Sequence, residues 1–315
     1  MLSQTLTEHS GSVNCIAVLP DLIATGASDG TVNIYTHSSQ WTLQQTLRLT
    51  PVYPLVLALH KTDNGIILGV GGSSPSIHLF TSPLQTVQFT RGPILKGHED
   101  WIRGLAFSST EADIFLASAS QDRYIRLWRI TKQSTTTTNL NDTDALLTAA
   151  LGGESYPLTL SDNPYTITFS ALLPGHDDWV FTAAFHPSNP ECLLSASADA
   201  SLIIWRPEAS SGIWIPETRL GEVSSLKGAT TAQGSSGGFW GAVWCAQDRV
   251  ACWGKTGGWR VWRQKKDDDG GEWVQEGAVG GAVRAVKGIS WDPEGRFLLS
   301  VRCESFLPQF CDCRP

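Results

Sequence analysis

Charge and methionine are what this sequence has least of. Only 17% of its 315 residues are Asp, Glu, Lys or Arg, against 41% hydrophobic, a balance that excludes a solvated, disordered chain and allows a sizeable core. The charge that is present is mostly negative, 30 acidic against 23 basic side chains for a net −7. That is the wrong sign for a domain that grips nucleic acid by neutralising phosphates. A single Met argues against a flexible thioether-lined groove. No apolar run approaches the ~20 residues of a membrane span, because Leu55 to Leu59 and Ile66 to Val70 are cut at once by polar residues or Gly. The first residues, Met1-Leu-Ser-Gln-Thr-Leu-Thr-Glu-His9, lack the basic start and apolar centre of a secretory signal. Seven Cys leave one thiol unpaired even if the others bridge, which fits a reducing compartment. Cys15, Cys192, Cys245 and Cys252 are expected to be small buried residues in or beside strands rather than nucleophiles.

What is abundant is Gly, with 30 residues, and Trp, with 13, a mixture suited to short strands, many turns and large buried plates. The chain is also repetitive. Gly97-His98-Glu-Asp-Trp101, Ala117-Ser118-Ala-Ser-Gln-Asp122 and Ile125-Arg-Leu-Trp128 recur as Gly175-His176-Asp-Asp-Trp179, Ser195-Ala-Ser-Ala-Asp199 and Ile203-Ile-Trp205. Thirty residues separate His from Trp in the first copy and 29 in the second. A third copy opens the chain with His9, Thr25, Asp29 and Tyr35. Short strands are predicted at Val13 to Leu19, Leu22 to Gly26, Thr31 to Thr36, Ile102 to Phe107, Phe115 to Ser118 and Ile125 to Ile130. Weaker copies end at Phe80 and Trp262, and a partial one runs from Val283 to Ser300. The spacings Tyr35 to Phe80 and Phe80 to Trp128, 45 and 48 residues, are close to the ~40 to 45 of a four-stranded propeller blade. Trp128 to Trp205 is 77, so Thr131 to Ile167 is expected to be an exposed insertion. Residues 264–271 suit a solvated hairpin tip.

The recurrent residues can serve packing. A blade is stable only when neighbours cover its faces, and a relay of His, hydroxyl, Asp and indole would satisfy polar groups in the seam. The expected relays are His98, Ser118, Asp122 and Trp128; His176, Ser195, Asp199 and Trp205; and a degenerate His9, Thr25, Asp29 and Tyr35. The same residue types make a hydrolase triad, but parallel copies at a structural period favour scaffold. Histidines a whole repeat apart do not make a zinc site. Gly254-Lys255-Thr256 has Arg249 where a phosphate loop needs its first Gly, and Gly69 to Ser74 is expected to be a strand-to-strand turn with no helix to cradle a nucleotide. No catalytic residue, cofactor or metal is assigned. The loop rim is left for binding, with Glu99, Trp101, Asp177 and Trp179 as candidate contacts for a basic partner.

These repeats resemble the WD-repeat β-propellers. The runs Leu95 to Gly104, Phe115 to Asp122, Leu173 to Val180, Leu193 to Asp199, Ser211 to Trp214, Arg219 to Val223 and Trp291 to Gly295 resemble, in order, the family of the second subunit of the Elongator complex. The resemblance implies an all-β, incomplete propeller over residues 1–301, with about five recognisable blades and part of another, and a non-matching, disordered tail over 302–315. It implies a non-catalytic scaffold that binds the largest Elongator subunit and the catalytic subunit, in the cytoplasm with the nucleus as a second expected location, supporting modification of the wobble uridine of tRNA without touching nucleic acid or membrane. The alternatives are a generic WD-repeat adaptor in another complex and a propeller hydrolase.

Overall fold

A computed structural model describes residues 4–133, 155–221, 238–254, 259–265, 271–279, 286–291, 297–302 and 309–312. Among them there is no helix; every regular element is a strand. Contacts divide the chain into two units, Met1–Asp122 with Arg126–Leu172, and Arg123–Ile125 with Leu173–Pro315.

The first unit holds three sheets. β1 (Val13–Leu19), β2 (Leu22–Ala27), β3 (Thr31–His37) and β4 (Trp41–Arg48) form the first. The second is β5 (Pro54–Thr62), β6 (Gly65–Gly72), β7 (Ser74–Ser82) and β8 (Thr90–Leu95). Both are antiparallel meanders in which chain order is spatial order. Their strands alternate in side-chain direction, so each sheet has two faces that can pack, and sheet two buries both of its faces in seams. In the first seam Leu22, Ala24, Val32, Ile34 and Leu47 of sheet one meet Leu57, Leu68, Val70 and Phe80 of sheet two. In the next, Ala58, Ile67, Ile77 and Leu79 on the other face of sheet two meet Leu105, Leu116 and Trp128 of sheet three. β6 is therefore covered on both faces and buried along its whole length.

This corrects the reading of Gly69 to Ser74 as a turn. Gly69 to Gly72 belong to β6, and the turn is confined to Ser73. These glycines allow close approach: a Cβ on Gly71 would meet Ile102 Cγ2 at 2.5 Å, and one on Gly72 would meet the Tyr53 carbonyl oxygen at 2.1 Å.

Sheet three comprises β9 (Ile102–Ser109), β10 (Asp113–Ser120), β11 (Ile125–Lys132), β12 (Ser155–Leu160) and β13 (Asn163–Leu173), in the order β12-β13-β11-β10-β9. The described part of the expected insertion, from Ser155 onward, is thus no exposed loop. β13 takes the fourth-strand position beside β11, and β12 adds a fifth strand. Alternation explains it: Leu158 and Leu160 on one strand, and Tyr165 and Ile167 on the other, are buried in the seam with sheet two. Ser161 and Asp162, with φ of 46° and 66°, make the two-residue turn whose twist suits a hairpin. Residues 134–154 of the expected insertion lie outside the described residues.

In the second unit β14 (Val180–His186), β15 (Asn189–Ser197), β16 (Ser201–Pro207) and β17 (Trp214–Gly221) form one meander, sheet four, and β18 (Phe239–Ala246), β19 (Arg249–Gly254), β20 (Trp259–Gln264) and β21 (Trp273–Val279) another, sheet five. Cys192, Leu194, Leu202 and Ile204 of the former pack on Ala242, Trp244, Val250 and Cys252 of the latter. The hairpin β20–β21 flanks the charge run, whose residues 266–270 lie outside the described residues; Lys265 N–H donates to the Glu272 carbonyl across its base. β22 (Val286–Trp291), β23 (Phe297–Arg302) and β24 (Gln309–Asp312) form a three-stranded sheet. The tail expected to be disordered therefore supplies a strand, Gln309–Asp312, paired with β23.

Leu160 is fully buried and its Cδ1 would lie 2.7 Å from a Cβ on Gly65. Leu160→Ala is expected to destabilise the first unit by about 2 to 5 kcal/mol, read as a lower denaturant midpoint. A shift within about 0.5 kcal/mol, the usual range for exposed sites, would place this hairpin outside the core.

Candidate functional site

The residues singled out by the repeats fall into two groups, a buried set within the sheets and an exposed set at their ends. In sheet three, His98 precedes β9, Ser118 lies in β10, Asp122 in the β10–β11 turn and Trp128 in β11. His98 Nδ1 lies 2.7 Å from Asp122 Oδ2 and Nε2 lies 2.9 Å from Ser118 Oγ. The Trp128 indole N–H donates to the same Oγ at 3.2 Å, and Glu99 N–H donates to Asp122 Oδ2 at 3.0 Å. The second unit repeats this: His176 Nδ1 to Asp199 Oδ2 is 3.0 Å, Nε2 to Ser195 Oγ is 2.8 Å, and Trp205 Nε1 donates to Ser195 Oγ at 2.8 Å. In sheet one, His9 Nε2 is 2.7 Å from Thr25 Oγ1 and Nδ1 is 3.3 Å from Asp29 Oδ2. There Tyr35 turns its hydroxyl to donate to Glu8 at 3.0 Å.

These groups are sealed. Ser118 and Ser195 are 0% exposed, and each Oγ is engaged by an indole N–H, an imidazole nitrogen and a backbone carbonyl, that of Arg126 or Ile203. A serine nucleophile must reach a substrate carbonyl; these oxygens reach only protein. Among the described residues no group of three or more His, Cys, Asp or Glu is placed to hold a metal ion. Burial pushes the thiols up, Cys15 and Cys252 to about 12 and Cys192 to about 11, so they stay protonated and unreactive at neutral pH.

The turn carboxylates carry the electrostatics. Burial alone would raise the Asp199 carboxyl, but hydrogen bonding and charge from His176, with donors from Ser201 and the Asp177 N–H, hold it well below the usual carboxylate range. Arg219 adds a contact from outside, with Nη2 3.0 Å from Asp199 Oδ2 and Nη1 donating to the Gly175 carbonyl at 3.1 Å. Asp29 is held low in the same way, its burial outweighed by Thr31, the Ser10 N–H and His9. After each Asp the chain takes a left-handed step, at Gly30, Arg123 and Ala200, with φ of 76°, 75° and 63°. In sheets one and four the next residue, Thr31 or Ser201, donates its hydroxyl back to the carboxylate at 2.6 or 2.7 Å.

Register extends the comparison to the weaker repeats. The relay hydroxyl faces Asn33 in sheet one and Ile203 in sheet four; the equivalent positions are Val70, facing His78, and Cys252, facing Arg260. The indole position is held by Phe80 and Trp262. Sequence reasoning missed Arg219 and the second serines. Ser120 Oγ donates to the Asp100 carbonyl and Ser197 Oγ to the Asp178 carbonyl, both at 3.0 Å, and each accepts the N–H of the turn Asp. The Ser-Ala-Ser spelling shared by both copies was the available signal.

The exposed set sits just before β9 and β14, each the first strand in chain order (the inner strand) of its sheet. Trp101 is 44% and Trp179 45% exposed, so neither is buried between sheets. Each is fixed by its backbone: Asp100 Oδ1 accepts the Trp101 N–H and Asp178 Oδ1 the Trp179 N–H, both at 2.7 Å. Glu99 and Asp177, one residue earlier in each loop, are exposed.

Comparison with known proteins agrees with this geometry. The family model "WD domain, G-beta repeat" matches residues 1–36, 89–129 and 167–206, the segments that carry the three relays. The chain is 41% identical over 298 residues to Elongator complex protein 2 of Schizosaccharomyces pombe, 37% over 312 residues to that of Saccharomyces cerevisiae and 30% over 295 residues to that of Homo sapiens. These matches cover 93%, 94% and 89% of this chain and 38%, 39% and 34% of the relatives, so the chain spans about two fifths of their length or less. A chain in a solved structure titled "Crystal Structure of Mitotic Checkpoint Complex" is similar in fold, with a TM-score of 0.64, 16% identity and coverage of 94% of this chain and 73% of that one.

Removing the relay hydroxyl should strand its partners. Ser195→Ala is expected to cost about 1 to 3 kcal/mol by leaving the Trp205 N–H and a His176 nitrogen unpaired, measured as a fall in thermal midpoint; an unchanged midpoint would deny the relay a packing role. The depressed Asp199 carboxyl stabilises the fold above its unfolded value, near ~3.9, and that contribution is lost as pH falls toward the folded value. Stability should thus decline below pH ~4, and Asp199→Asn should be less stable at neutral pH but flatter across that acid range.

Proposed function

Taking as premise that the chain is a WD-repeat protein of the β-propeller class, we propose that it works as a subunit of the Elongator complex, as a non-catalytic scaffold. The observation that carries this is the similarity to Elongator complex protein 2 over nine tenths of the chain at up to 41% identity. The sealed serines support a scaffold over a hydrolase: a relay whose hydroxyl is fully buried in two separate sheets can cement strands but cannot receive a substrate. The scaffold's partners are the largest Elongator subunit and the catalytic subunit, and its biological role is to support modification of the wobble uridine of tRNA in the cytoplasm, and in the nucleus where the complex enters it. Its acid excess supports contacts with protein rather than with the tRNA phosphates.

The test is affinity purification of the tagged protein from cell extract under non-denaturing conditions. Recovery of the largest and catalytic Elongator subunits is expected; recovery of the tagged protein with neither would overturn the assignment.

A further inference from the structure

The register of the inner strands defines one position that recurs from sheet to sheet. β1, β5, β9 and β14 each begin opposite the end of their neighbour, at Val13↔Ala27, Pro54↔Gly72, Ile102↔Ser120 and Val180↔Ser197. The residues immediately before these starts are Ser12, Tyr53, Trp101 and Trp179. Their equivalence shows in their hydrogen bonds: each carbonyl accepts one backbone N–H from the following turn, that of Ser28, Ser73, Gln121 and Ala198 respectively, at 2.9 to 3.1 Å. β18 begins in the same way at Phe239↔Gly254, after Gly238. Three of these five residues are aromatic, and all three stand in solvent, Tyr53 at 50%, Trp101 at 44% and Trp179 at 45% exposure. Tyr53 carries no motif in the sequence; only the register reveals it.

Single exposed apolar residues are ordinary. Exposed aromatics at one repeated position are different; even Trp179, edge-on to Phe181 with ring centroids 6.3 Å apart, keeps 45% of its surface exposed. Their backbones are held at both ends. The carbonyls are bonded as above, the Trp101 and Trp179 N–H groups are bonded by the preceding Asp, and the Tyr53 N–H donates to Ser73 Oγ at 2.9 Å. A ring presented on a fixed backbone loses little freedom when it is covered, which favours its use as a binding anchor. The residues beside the rings decide what covers them. Both Trp loops read acid-acid-Trp, Glu99-Asp100-Trp101 and Asp177-Asp178-Trp179. A flat aromatic face next to exposed carboxylates fits a guanidinium, which stacks on the ring and donates to the acid.

We propose that these positions are docking points for arginine-rich, extended segments of a partner protein, Tyr53 and Trp101 on neighbouring sheets of the first unit and Trp179 in the second. This deepens the scaffold reading by naming a surface and a ligand chemistry, and it is tested without reference to Elongator. The probe is a fluorescein-labelled peptide of repeated Arg-Gly-Ser, with Lys-Gly-Ser and Glu-Gly-Ser counterparts and a labelled single-stranded oligouridine, titrated with the full chain and read by polarisation. The arginine peptide is expected to bind best and to weaken with salt, the lysine peptide to bind more weakly, and the glutamate peptide and oligouridine not to bind. Trp101→Ala with Trp179→Ala should weaken the arginine peptide at least tenfold, and Tyr53→Ala several-fold. Glu99→Lys, which leaves the rings in place, should weaken it too and serves if the tryptophan variants have lowered thermal midpoints. Equal binding of the arginine and glutamate peptides, binding of oligouridine, or unchanged affinity in Glu99→Lys and in folded tryptophan variants would overturn the proposal. Failure here leaves Elongator co-purification standing, and failure there leaves this result standing.

Discussion

A serine hydroxyl with no access to water is the interaction on which these sheets turn. Ser118 and Ser195 lie where an apolar residue would ordinarily be expected, and a buried hydroxyl left alone is costly. Each is paired on one side by a histidine and on the other by an indole, and the histidine is in turn held by the turn carboxylate. The bonds run across the strands of one sheet, from the loop before its inner strand to the strand that carries the Trp. They therefore fix the loop before the first strand, the second strand, the turn and the third strand in one geometry. The left-handed step after each Asp and the Arg219 contact are consequences of bringing a carboxylate to that place.

The weaker repeats show the same constraint from the other side. At the hydroxyl position sheet two has Val70 and at the indole position Phe80, and it carries no His or turn Asp of the repeat type. Removing all the polar partners together leaves none stranded, and such a replacement by apolar groups can be nearly neutral. Sheet two then joins its neighbours through apolar seams, with Leu57, Leu68, Val70 and Phe80 toward sheet one and Ile67, Ile77 and Leu79 toward sheet three, and with hydrogen bonds at the margins, such as Gln45 with the Phe89 backbone and Asn64 with the Tyr165 hydroxyl. Degeneracy in the sequence is thus not disorder in the fold: sheet two replaces the relay members together, sheet one keeps His9, Thr25 and Asp29 with Tyr35 in place of the indole, and sheet five keeps Trp262 with Cys252 in place of the hydroxyl.

The fold class and the strands of the strong repeats were legible because their residues are tied to a period: alternation marked β1 to β3 and β9 to β11 to within a few residues. What stayed hidden had no motif or carried a misleading composition. The β12–β13 hairpin follows a polar stretch and was read as loop, although Leu158, Leu160, Tyr165 and Ile167 already alternate. The glycines of β6 read as a turn because closeness to Ile102 and to the Tyr53 carbonyl cannot be seen from the chain itself. At the candidate sites, the His, hydroxyl, Asp and indole positions could be picked out by spacing. Arg219 could not, because its partner Asp199 is twenty residues away in sequence and sits one strand over. Tyr53 could not either, since only pairing register aligns it with Trp101.

The relay side of sheet one has a further bearing on dynamics. In sheets two, three and five that side packs on the sheet before it. In sheet one it carries His9, Thr25, Ile23 and Tyr35 together with Ile16 and Val18, which are 60% and 59% exposed. β6 is buried along its whole length between two apolar seams, so opening it surrenders both. Local unfolding follows the contacts that must be surrendered, so amide protons of β1, which carries the exposed Ile16 and Val18, have a cheaper route to exchange with solvent than those of β6.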